Sequence, residues 1–214
     1  PADLDKIPAE FRGPDDLWVG TNVHVMVMMV NERQLKGLPA PATWSDLMQP
    51  QWKNKFAITD PSKSGTAYML VYGLYKQFGQ AGLDKIAANA VVTASSGTTY
   101  KGVAAGEYAV GMTLEYAAQE YVAGGQKEIK LVYPSEGSYL APEGMFIIKG
   151  AKNLDAAKAL YDGLLSKASQ EAQLVKNFRR PTRTDVAVAS LTTLPDLSTV
   201  KIFPVSQEAA ATEY

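Results

Sequence analysis

The apolar run "NVHVMVMMVN" at 22–31 carries β-branched and long apolar side chains at nearly every position. A run of this kind predicts a long buried strand. "KGLPAPAT" follows as a Pro/Gly loop, and Thr43 stands where it can cap a short helix over "WSDLM". "KFAIT" predicts a strand and 65–78 a strong helix, with "GLDKIAANA" a further short one. "VVTASSGTTYKGVAAG" reads as strand, polar turn and helix, with Gly106 as the C-terminal stop. "YAVGMT" is a strand, and "LEYAAQEYVAGG" is an amphipathic helix ended by a glycine pair. "EIKLVYP" and "EGMFIIKG" are strands, and "NLDAAKALYDGLLSKASQEAQLVKN" is one or two helices with an apolar face. "KIFPV" is a late short strand, and "EAAATEY" reads as the start of a helix. The alternation of strand and helix predicts an α/β architecture on a mainly parallel or mixed sheet.

Three of these strand-to-helix handovers are polar. Ser64-Gly65-Thr66 opens the helix after "KFAIT". Ser95, Ser96, Gly97, Thr98 and Thr99 open the next, and Thr113 with Glu115 opens the third. A helix start has free backbone N–H groups and a partial positive charge. Glycine lets a ligand approach the backbone, and the hydroxyls add donors, so such a turn can hold an anion without a lysine. A plain cap explains any one of them equally well. Their repetition favours a shared site, because ligands in open α/β sheets sit at the carboxyl ends of strands. Ser64, Gly65 and Thr66 are expected to bind the anion, with the second turn facing the same cleft. Glu115 either favours its helix start or accepts from a hydroxyl or amine of the ligand. Gly137 and Ser138 are candidates for the cleft rim.

Composition narrows the chemistry. The chain has 214 residues, 46% hydrophobic and 20% charged, with 21 basic against 22 acidic side chains. That balance argues against a nucleic-acid partner and provides no polybasic membrane patch. The densest basic cluster, "NFRRPTR", reads as a solvated surface or an internal ion pair. With no cysteine, disulfides, thiolate catalysis and cysteine-ligated metals are excluded; the absence fits an oxidising export compartment, though many cytosolic proteins also lack cysteine. His24 is the single histidine, too few nitrogen ligands for zinc catalysis, and its place in an apolar strand predicts a structural role. There is no GxSxG elbow, histidine-paired nucleophile or P-loop lysine, so neither catalysis nor a cofactor is expected. Nor is there an apolar stretch of about 18 residues to span a bilayer.

"PATWSDLMQPQWKNKFAITDPSKSGTAYMLVYGL", "GVAAGEYAVGMT", "YPSEGSYLAPEGMFIIKGAKNLDAAKALYDGLLS" and "RRPTRTDV", in that order, resemble periplasmic solute-binding proteins of ABC transporters. The branch is the one that holds ferric-iron, thiamine, phosphonate and sugar-phosphate binders. The resemblance implies a periplasmic-binding-protein type II-like fold of two α/β lobes joined by two crossing strands, with the solute between them. "WVGTNVHVMVMMVN" would be the first crossing and "PEGMFIIKG" the second. Residues 1–30 would be loop and first crossing, and 31–142 the C-terminal lobe. Residues 143–185 would hold the second crossing and part of the N-terminal lobe, with 186–214 returning to the C-terminal lobe. Family members carry more chain ahead of residue 1, which builds most of the N-terminal lobe, so this chain resembles a truncated binding protein.

The resemblance further implies a periplasmic monomer, an ABC permease as partner, and no enzyme activity. Iron binders of the branch use two adjacent tyrosines, matched here by Tyr116 and Ala117. One phenolate is therefore absent, and Tyr121, a helical turn on, is no simple substitute. The "SGT" turn matches the place where such proteins hold an anion. The expected solute is a phosphorylated or phosphonate-bearing organic anion, with ferric iron as the alternative and a periplasmic α/β enzyme as the more distant one.

Overall fold

The computed structural model describes residues 3–213. The chain divides into two compact units, 3–24 with 142–197 and 25–141 with 198–213.

The larger unit is built on a sheet whose strands run in the order β3-β2-β4-β1-β5. Strand β1 (Val19–Asn31) is almost wholly buried, and its stretch from Val25 to Val30 is apolar at every position, as burial on both faces requires. Strand β2 (Phe56–Thr59) leads into α1 (Gly65–Asn89), whose helical geometry breaks at Gly79, φ 67°. The two helices predicted there are present, one on each side of the non-helical backbone at Gly79. Strand β3 (Ala90–Thr93) leads into α2 (Ser96–Ala105), which Gly106 ends at φ 83°. Strand β4 (Val110–Leu114) leads into α3 (Glu115–Ala123), and β5 (Ile129–Val132) is the far edge. Strand β2 pairs in parallel with both β3 and β4, while β4 and β5 run antiparallel to β1.

The core under this sheet gathers Trp44, Trp52, Phe56, Tyr72 and Tyr139. Trp44 is fully buried, stacks on Tyr139 at 5.7 Å between centroids, and donates its indole N–H to the Gly137 carbonyl at 2.9 Å. Thr43 accepts from the Asp46 N–H at 3.1 Å and the Asp46 carboxylate accepts from Thr43 N–H at 2.9 Å, so the predicted cap is a reciprocal one.

In the smaller unit, β6 (Leu140–Met145) enters from the larger one. The sequence predicts strand through residue 150, yet it ends at Met145, and Phe146 and Ile148 are exposed. Helices α4 (Leu154–Leu165) and α5 (Lys167–Asn177) follow. Strand β7 (Arg180–Pro181) pairs with β1 at Asn22 and Val23, and α6 (Val188–Leu191) closes the unit. The chain leaves this unit at 198 rather than 186, because Val186 packs with Leu174 and Leu194. Back in the larger unit, "KIFPV" reduces to one bridge, Ser138 with Ile202, followed by α7 (Gln207–Glu213).

His24 is 8% exposed, with Nε2 3.4 Å from the Glu143 carboxylate and 3.3 Å from Arg179. Asn22 and Arg179 donate to the same carboxylate at 2.7 and 2.9 Å. The hydrogen bond with His24, and then that from Asn22, outweigh burial and hold the Glu143 carboxyl down at about 2. The basic cluster is likewise spent internally: Arg183 pairs with Asp185 at 2.9 Å and Asp3 at 3.2 Å.

Candidate functional site

Strands β3, β2 and β4 are adjacent and parallel, so their carboxyl ends lie side by side and α1, α2 and α3 all start along one edge of the sheet. Extended backbone at Ser64 (φ −149°, ψ 122°) lets its Oγ accept from the Ala67 N–H at 3.3 Å, capping α1. That Oγ also lies 3.0 Å from Thr66 Oγ1 and 3.1 Å from Ser96 Oγ. Two turns far apart in sequence thus bring their hydroxyls into contact. Ser95 caps α2 by accepting from the Thr98 N–H at 3.1 Å, and its Oγ is 2.9 Å from Thr98 Oγ1. A methyl on Gly65 would meet nothing within 4 Å, and one on Gly97 nothing closer than 3.7 Å. Neither glycine is demanded by packing, so the approach to both helix starts is open.

Beneath the turns a second layer of hydroxyls fixes them. Thr99 Oγ1 lies 2.7 Å from Thr59 and 2.6 Å from Thr93. Thr99 is fully buried, so the sequence expectation that it faces a ligand is corrected: it ties α2 to β2 and β3. Between the two layers sits a cavity of about 10 Å³, room for about one water, lined by Thr59, Thr66, Ser96 and Thr113 among others.

The remaining candidates fall elsewhere. Thr113 does not cap α3: the cap position is Leu114, and Thr113 lies within β4 on the cavity wall. Glu115 is 1% exposed, and the Tyr133 hydroxyl donates to it at 2.6 Å, so its carboxylate is buried rather than offered to a solute. Ser138 is also fully buried; its N–H donates to Lys201 and its carbonyl accepts from Phe203, which removes it from any rim. Gly137 has φ 123°, and a methyl added there would lie only 2.8 Å from Phe203 N, so it serves this same backbone pairing. Tyr116 packs against the main core, Ala117 is buried, and the Tyr121 ring lies against Tyr100 at 6.2 Å. Among the described residues no group of three His, Cys, Asp or Glu could hold a metal, and no helix is long and apolar enough to cross a membrane. Sequence reasoning missed Thr113 as a wall residue; the signal available was a lone hydroxyl between Met112 and Leu114 in an apolar strand.

Residues 1–204 match the family model of a bacterial extracellular solute-binding protein. The chain is 33% identical over 171 residues to a Salmonella typhimurium protein named as a candidate 2-aminoethylphosphonate-binding periplasmic protein, covering 73% of this chain and 49% of that one. It is 24% identical over 189 residues to the Fe(3+)-binding periplasmic protein of Serratia marcescens, covering 82% and 54%. Among solved structures, it is similar to the periplasmic binding protein AfuA of Actinobacillus pleuropneumoniae with fructose 6-phosphate bound. The TM-score is 0.82 at 28% identity, over 94% of this chain and 67% of that one. The chain spans about half the length of the curated relatives it matches.

Proposed function

Because this chain belongs to the bacterial extracellular solute-binding proteins, we propose that it is the solute-binding component of an ABC importer and holds the phosphoryl or phosphonyl end of a small organic anion. The observation that carries the reading is the 3.1 Å contact between Ser64 and Ser96, which puts two helix starts and their hydroxyls on one point. The protein works in the periplasm as a binding protein, not an enzyme, and passes its solute to a membrane permease. Ser64, Gly65, Thr66 and Ser96 meet the anion; Ser95, Thr98 and Thr99 hold α2 in place. With Glu115 buried against Tyr133, the reading rests on the anion seat, and a sugar phosphate and an aminoalkylphosphonate both satisfy it. The names of the Salmonella relative and of the fructose 6-phosphate complex support that class. The Serratia relative favours ferric iron, but Ala117 leaves Tyr116 without an adjacent phenolate.

Gly65→Ala tests the seat. The methyl enters open space at the first turn of α1, so the fold tolerates it and stability in urea stays level or rises slightly. The same methyl blocks approach to the backbone, and affinity of the natural full-length protein for fructose 6-phosphate or 2-aminoethylphosphonate is expected to fall about tenfold. Unchanged affinity would place the anion away from the start of α1.

A further inference from the structure

Four hydroxyl side chains line the small cavity behind the two helix starts: Thr59, Thr66, Ser96 and Thr113. Three are engaged, Thr59 with Thr99, and Thr66 and Ser96 with Ser64. Thr113 is different. It is 6% exposed, and its Oγ1 has no hydrogen-bond partner among the described residues. A buried hydroxyl left alone destabilises a fold, and nothing in β4 calls for one. Its neighbours there are Val110, Gly111, Met112 and Leu114, and valine would have the same shape. The cost is recovered if something that enters the cavity accepts the proton.

Resting on the reading that this pocket takes the anionic end of the solute, we propose that Thr113 is a specificity-determining contact that donates to the innermost oxygen of that anion. The recess is small, about 10 Å³, and its remaining walls include Met26, Leu70 and Met112, so an oxygen brought against Thr113 meets a hydroxyl with no other partner among the described residues. A tetrahedral phosphoryl or phosphonyl group can place one oxygen inside and keep two for the turns at Ser64 and Ser96. A planar carboxylate that fills the cavity has one oxygen left. Thr113 therefore favours tetrahedral oxyanions over carboxylates of the same length.

The test compares Thr113→Val and Thr113→Ser in the natural full-length protein. The probes are 2-aminoethylphosphonate, its carboxylate counterpart 3-aminopropanoate, and fructose 6-phosphate. Thr113→Val is expected to weaken the phosphorus-bearing probe that the unaltered protein binds by about tenfold. It should also narrow the preference for 2-aminoethylphosphonate over 3-aminopropanoate where that pair is bound. Thr113→Ser, which keeps the donor, should stay within about threefold. Without ligand, Thr113→Val should be as stable in urea as the unaltered protein or more so, since it removes an unpaired hydroxyl. Affinity within twofold in Thr113→Val, or a clear loss of ligand-free stability, would overturn the assignment while leaving the anion reading intact. Failure of the unaltered protein to bind any of the probes would overturn both.

Discussion

With Ser64 and Ser96 both changed to alanine, the natural full-length protein will hold its organic anion roughly two to four orders of magnitude more weakly. Each hydroxyl supplies one hydrogen bond to a charged group, about 1.5–3 kcal/mol, and the pair together about 3–6 kcal/mol. The two hydroxyl oxygens lie 3.1 Å apart, in contact with one another, so the double change will depart from that additive sum by roughly 0.5–1 kcal/mol. A complete double-mutant cycle by calorimetric titration measures that coupling. Ser64→Ala also removes the α1 cap, which costs about 1 kcal/mol of stability, and a urea transition on the same samples separates the two effects. Full additivity would mean that the two serines act on different parts of the solute.

Trp44→Ala will show the opposite profile. The side chain is fully buried, stacked on Tyr139 and bonded to the Gly137 carbonyl. Removing it opens a large cavity and leaves a buried carbonyl unpaired, at a cost of about 3–5 kcal/mol. Against a typical total of about 5–15 kcal/mol, that moves the urea midpoint far down. Trp44 does not line the cavity at the helix starts, so the fraction that remains folded should bind as before. A change of less than about 1 kcal/mol would show that the packing around Tyr139 closes over the gap.

Much of the larger unit was legible because its signals are local. Ser64 and Ser95 cap the helices the sequence assigns to them, Gly106 ends α2 at positive φ, and Thr43 caps the turn at 45–48. The convergence of the first two turns follows once the strands are placed in parallel, since parallel strands end on one side. What the sequence could not reveal depends on partners distant along the chain. Ser138 looks like a polar rim residue until Lys201 and Phe203 cover it. Glu115 looks free until Tyr133 reaches it. Thr99 looks like part of an exposed turn, but helical periodicity rotates it inward onto Thr59 and Thr93. The apolar pattern at 146–148 predicts strand, and a strand exists only where a neighbour pairs with it. Thr113 is the inverse case: it reads as a cap, yet the fold buries its hydroxyl and gives it no partner among the described residues.

Calorimetric titration of the natural full-length protein with fructose 6-phosphate, 2-aminoethylphosphonate and ferric citrate distinguishes an organic-anion receptor from an iron binder. Saturable binding of at least one of the two phosphorus-bearing anions, by a colourless protein, is expected. Indifference to both, together with a visibly coloured complex on adding ferric citrate, would contradict that expectation.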